Sequence, residues 1–223
     1  MTKLTSTALS RRRLLSGGLG AAMLWAGSGM RAHAADKPAL APQDVADLDR
    51  VSAYLNAITT ATSEFTQFSQ EGDMAEGMFY MSRPGRVRFE YTKPATLPAI
   101  VCDGTWVVLD NRSLKSVSRY PLSATPLSIL LRENVDLASD TRIVAVERQP
   151  GILSVTARDD TGIAQGELTL VFRDPGLELR NWVVKDAQGY YTTVAVRGLR
   201  QGIKLDPALF KLPDYGSPGL RRP

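Results

Sequence analysis

From Ala61 to Leu199 the chain runs in short segments that alternate apolar with polar residues, each closed by a glycine, proline or aspartate turn. A period of two with such punctuation leaves little besides antiparallel β structure. The pattern predicts about eleven strands, roughly at 63–70, 77–82, 86–91, 99–102, 105–110, 113–119, 141–147, 152–158, 165–173, 178–185 and 190–199. Arg86 to Tyr91 shows the alternation plainly: Val87, Phe89 and Tyr91 share one side, Arg86, Arg88 and Glu90 the other. Asp103-Gly104 between two β-rich runs is a strong hairpin signal, and Gln149-Pro150-Gly151, Asp174-Pro175-Gly176 and Gln188-Gly189 mark three more turns.

Two segments break the period. Between Gln43 and Thr60, Val45, Leu48, Val51, Leu55 and Ile58 recur at helical spacing, with Pro42 suited to the first turn. Ala124 to Leu131 reads as a second, very apolar helix with Thr125 as cap and Pro126 as first helical residue. Two helices are too few to cover a flat sheet of eleven strands. The sheet therefore curls into a strongly curved or open barrel, or wraps the helices. The alternation alone fits a filled barrel as well as one with a cavity.

The N-terminus has the layout of a secretory signal: Ser10-Arg11-Arg12-Arg13-Leu14-Leu15, a glycine- and alanine-rich apolar stretch, then Ala32-His33-Ala34. It resembles the twin-arginine type, with cleavage after residue 34, a linker over 35–42 and one domain over 43–223. This predicts a periplasmic location. Cleavage removes five basic residues and no acid, so the net charge falls from +4 to −1 and a nucleic-acid reading loses its support. The only histidine, His33, leaves as well, which removes Ser-His-Asp and Cys-His chemistry and any histidine-held zinc. Cys102, the lone cysteine, sits in an apolar run and reads as a small core residue.

Several of these pieces, in this order and spacing, resemble the LolA-type periplasmic lipoprotein carriers. They are a helix leading into Phe65-x-Gln67, the Arg83-Pro84 turn before Phe89-x-Tyr91, the Asp103-Gly104 hairpin with Trp106, the apolar stretch from Pro126-Leu127 to Leu131, and Asp206 to Phe210 near the end. The resemblance covers most of the mature chain. It implies an open, incomplete barrel with a helical lid over an apolar cavity that takes lipoprotein acyl chains. It implies acylated lipoproteins as cargo and a lipoprotein-releasing ABC transporter of the inner membrane as loading partner, and leaves the outer-membrane acceptor open. A monomer is expected, with no nucleic acid, cofactor, metal or catalytic residue. Arg83 matches the position whose side chain locks the lid by bonding its backbone carbonyls. Val87, Phe89, Tyr91, Val101 and Trp106 from the sheet, and Leu127, Ile129, Leu130 and Leu131 from the lid, are the expected lipid-binding residues. Val87 departs from the family pattern, where an aromatic is common.

Physical chemistry suits such a role. An exposed 16-carbon chain costs on the order of 12 kcal/mol in water, so a carrier needs an apolar pocket more than directed polar groups. Two other classes stay open: a sensor or interaction domain of the same fold that binds an acylated ligand, or a carrier of another lipid; and an enzyme, for which Asp159-Asp160 is the visible carboxylate pair, although that pair also suits a turn before Gly162.

Overall fold

The structure, a computed structural model, describes residues 40–125, 127–140, 142–159, 166–186, 188–213 and 215. The expected signal peptide, most of the linker, Pro126 and Asp160 lie outside the described residues.

Helix α1 (Pro42–Ala57) comes first, with Pro42 in its first turn and the Asp44 carboxylate accepting from the Ala41 N–H. Eleven strands follow: β1 (Thr60–Ser69), β2 (Met74–Ser82), β3 (Arg86–Lys93), β4 (Ala99–Asp103), β5 (Trp106–Asn111), β6 (Ser116–Pro121), β7 (Ile143–Gln149), β8 (Ile152–Asp159), β9 (Gly166–Arg173), β10 (Glu178–Lys185) and β11 (Tyr191–Gln201). All pair antiparallel in one unclosed sheet, ordered β6-β5-β4-β3-β2-β1-β11-β10-β9-β8-β7. Every neighbour in that order is also a neighbour in sequence except β1 and β11. The sheet is thus two meanders joined along one ladder, which runs from Ala61↔Gln201 to Ser69↔Thr192.

The concave face holds the core. Leu48, Val51 and Leu55 of α1 are buried in one cluster with Phe65, Phe79, Phe89, Phe172 and Trp182 of the sheet. Phe65 packs edge-on against Phe89 and Tyr91 at 5.4 and 5.3 Å between ring centres. Gly77 makes room for this: a Cβ there would lie 2.7 Å from the Phe65 ring and 2.2 Å from the Glu90 carbonyl oxygen. Val45, expected on the buried face of the helix, is 37% exposed. The buried polar place in that part of α1 belongs to Asp47, which binds Arg50 and Arg148.

The two edges, β6 and β7, are consecutive strands, so the segment between them must cross the open mouth of the sheet. That segment is less helical than its composition suggests. It contains a 3₁₀ turn (Leu122–Ala124), one helical turn α2 (Leu127–Leu130), then an irregular strap to Asp140. Thr125, expected as the cap, donates its hydroxyl to the Leu122 carbonyl at 2.9 Å, and its backbone carbonyl accepts from the Ser128 N–H at 3.0 Å. The convex face of β3–β5 is covered by the C-terminal segment around a second 3₁₀ turn (Pro207–Phe210). Arg88 donates to the Leu209 carbonyl, Arg86 stands 5.8 Å from the Phe210 ring, and the Tyr215 hydroxyl donates to Asp110.

Candidate functional site

Three pieces of chain meet at the mouth: the C-terminal end of α1, the turn between β2 and β3, and the strap after α2. Arg83 joins them. Its Nε donates to the Arg132 carbonyl at 2.9 Å, and its terminal nitrogens reach the Arg132 and Leu55 carbonyls and the Asn56 amide oxygen. Leu55 belongs to the last turn of α1; its carbonyl accepts from the Ile58 N–H at 3.1 Å and has a second lone pair left for Arg83. The planar fork of guanidinium can satisfy such a carbonyl and a strap carbonyl at once. Burial lowers the Arg83 pKa from its ordinary value.

Two further side chains bind the strap. Asn56 holds Val135 from both sides, its amide donating to the Val135 carbonyl and accepting from the Val135 N–H, each at 2.9 Å. The Ser52 hydroxyl donates to the Leu48 carbonyl and accepts from the Leu137 N–H at 3.0 Å. The Gly85 N–H donates to the Leu131 carbonyl at 2.8 Å. These bonds occupy backbone groups that a helix would have paired internally. They tie the chain after Leu131 down as a strap with no helical ladder of its own. Ile129, Leu131, Val135 and Leu137 are all buried beneath it.

Under the lid lies an apolar cavity of about 40 Å³, little more than the roughly 30 Å³ share of one water molecule. Its walls include Val87 and Phe89 from β3 and Leu127, Leu130 and Leu131 from the lid, all expected from sequence. Among the described residues Arg83 is the one charged residue in its lining. Phe79, Met81, Leu179, Trp182 and Leu199 line it too and were not anticipated. Phe79, Phe89 and Trp182 form an aromatic wall with ring centres 5.1 to 6.1 Å apart.

Four expected residues stand elsewhere. Ile129 is buried in the core cluster but does not line the cavity. Tyr91 packs on Phe65, and its hydroxyl donates to Gln67 at 2.7 Å; burial pushes its pKa up to about 12. Val101 and Trp106 face the convex side, because Val101 pairs with Arg88 and Val108 while Cys102 pairs with Val87 and Val107. Trp106 is 40% exposed. The tryptophan of the cavity is Trp182, which only the register of β10 against β9 and β11 reveals. Cys102 is fully buried, and burial raises its thiol pKa.

Outside the lid, a larger open groove of about 710 Å³ lies between the β2–β3 turn, the β4–β5 turn and the strap. Leu131 lines both the groove and the inner cavity. Among the described residues no group of three histidine, cysteine or acidic side chains is placed to hold a metal, and no helix is long and apolar enough to cross a membrane.

Residues 56–213 match the family described as outer membrane lipoprotein carrier protein LolA. An outer-membrane lipoprotein carrier protein of Methylococcus capsulatus is 28% identical over 73% of this chain and 81% of its own length. One from Ralstonia nicotianae is 24% identical over 96% of this chain and 99% of its own. Among solved structures, a LolA superfamily protein from Nitrosomonas europaea is 11% identical, with a TM-score of 0.41 over 78% of this chain and 99% of its own.

Proposed function

This chain belongs to the family of outer membrane lipoprotein carrier proteins, and on that footing we propose that it shields lipoprotein acyl chains beneath its lid and moves them through the periplasm from the inner to the outer membrane. The observation that carries the proposal is the pairing of an almost wholly apolar cavity with a single lining cation that ties the lid shut.

A cavity of about 40 Å³ is shut against an acyl chain. Entry requires the strap to lift and its bonds to Arg83, Asn56 and Ser52 to break. Cargo and closure therefore compete. Leaving the bilayer costs about 0.8 kcal/mol for each CH₂ exposed, so loading falls to an energy-coupled ABC transporter of the inner membrane. Once the carrier is loaded, the broken lid bonds favour giving the cargo up, and an acceptor at the outer membrane needs only a better apolar site. The protein does this as a monomer, exported by its N-terminal signal, with Arg83 as lid lock and Val87, Phe89, Leu127, Leu130 and Leu131 on the acyl chains.

Native mass spectrometry of the protein taken from its own periplasm tests this. The expected species is a carrier beginning near Ala35, bound one-to-one to an acylated polypeptide. A free phospholipid in place of a lipoprotein, or a full-length chain found only with membranes, would overturn the reading.

A further inference from the structure

We propose that the outer groove seats the polar part of the cargo: the glycerol-ester linkage and first residues of an acylated polypeptide whose chains lie in the inner cavity. This rests on the carrier reading and adds a second subsite to it. An acylated polypeptide is apolar at one end and polar at the other, and burying its ester and peptide groups in an apolar cavity without partners is unfavourable. The groove offers what the cavity lacks. Leu131 is a wall of both, so a molecule that enters beneath the lid at this residue emerges into the groove.

The groove is built from three separate elements. Its floor is backbone: Gly85 and Gly104 lie so close that a Cβ on Gly85 would stand 2.6 Å from the Gly104 Cα, and both have positive φ, +76° and +110°. A side chain here would displace one turn from the other. Thr105, Ser123 and Ser128 line the sides, and each hydroxyl can donate to an ester or peptide carbonyl and accept from an N–H. A volume of about 710 Å³ falls within the ~300–1,000 Å³ of sites that hold a drug-sized ligand.

Charge selects between the polar ends that acyl chains carry. Arg132 and Arg142 both bind the Asp140 carboxylate, at 3.1 and 2.8 Å, and Glu133 also lines the groove. Two cations against two carboxylates leave the surface near neutral. An anionic phosphate finds no net attraction there, whereas an uncharged ester and peptide backbone meet hydroxyls. The groove is therefore a lipopeptide site and not a phospholipid headgroup site.

The test fills the groove from two exposed positions, Thr105→Trp and Ser123→Trp, neither of which lines the acyl cavity. Three probes are titrated: a fluorescent fatty acid, a synthetic triacylated lipopeptide and a phosphatidylglycerol with a fluorescent chain. Expected is a loss of at least tenfold in lipopeptide affinity for both variants, with fatty-acid affinity unchanged. Unchanged lipopeptide binding overturns the groove. So does a parallel fall in fatty-acid binding, which places the damage in the cavity, or an equal fall for phosphatidylglycerol, which removes the selectivity. Wild-type protein that binds no acyl probe at all sinks the carrier reading itself, a result distinct from the others.

Discussion

Replacing Arg83 with leucine removes the side chain that bonds the Leu55 carbonyl of α1 and the Arg132 carbonyl of the strap at once. Arg83 touches the strap only through the Arg132 carbonyl. A charge-assisted hydrogen bond contributes about 1.5–3 kcal/mol, so its loss shifts the balance of closed and open lids by roughly 10- to 150-fold. The strap keeps its bonds to Asn56, Ser52 and Gly85, and its buried leucines and valines, so it loosens without coming free. The side chain is half-buried and also serves the Leu55 carbonyl; a drop of a few degrees in melting temperature is therefore expected as well. Arg83→Lys keeps the charge but cannot span two carbonyls at once, and falls between the two. The assay is transfer of a lipoprotein from purified, loaded carrier to an acceptor, followed over time, with thermal melting alongside. Arg83→Leu should hold its cargo, releasing it at least tenfold more slowly, because closure no longer competes with it. Release at the wild-type rate from a variant of unchanged melting temperature would refute the lock.

Leu130→Glu places a charge in the apolar cavity and should weaken binding of a fluorescent fatty acid at least tenfold; equal binding would take Leu130 out of the site. Asn56→Ala leaves the buried Val135 N–H and carbonyl without partners, a cost of about 1–3 kcal/mol for each group left unmet, and should speed hydrogen exchange across residues 131–140 more than elsewhere. The Tyr91 phenol adds alkaline sensitivity: below pH 10 it is neutral in folded and unfolded chains alike, and between pH 10 and its folded value of about 12 only the unfolded chain loses the proton. Stability therefore falls as pH rises through that window, by an amount on the order of 3 kcal/mol at most, and denaturant melts of Tyr91→Phe should show a shallower decline.

The strands were legible because each carries its own evidence: a period of two, and a turn residue where the chain reverses. That local signal put Val87 and Phe89 on the apolar face of β3, and the family resemblance assigned that face to a cavity. Trp106 was placed wrongly for an equally physical reason. An aromatic in a strand announces burial on one face or the other, and parity across a hairpin decides which; Trp106 shares its face with Val108 and not with Val107. Trp182 needed the pairing of β10 with both neighbours, which is non-local information. Ala124 to Leu131 was read as helix because it is apolar and well spaced, yet only Leu127–Leu130 is helical, and the strap that follows carries no such signal. Its actual shape depends on Ser52, Asn56 and Arg83, residues from 49 to 85 positions away in sequence. Ser52 left a trace that could have been used: it follows Val51 on the buried face of α1, where a hydroxyl needs a partner.

The order of the strands also bears on how the chain reaches this form. Nine hairpin-like pairs can assemble from nearby sequence, but the ladder of β1 with β11 closes a loop of more than 120 residues, the shortest of its pairs being Ser69 with Thr192. Bringing such distant ends together costs on the order of 4 kcal/mol in chain entropy. Each meander must first exist as a pleated surface able to repay that cost, and until the seam forms both present a bare inner edge. The folding chain thus passes through a stage with unpaired strands at its middle, and substitutions along this single ladder should slow folding more than equally destabilising changes in the outer hairpins.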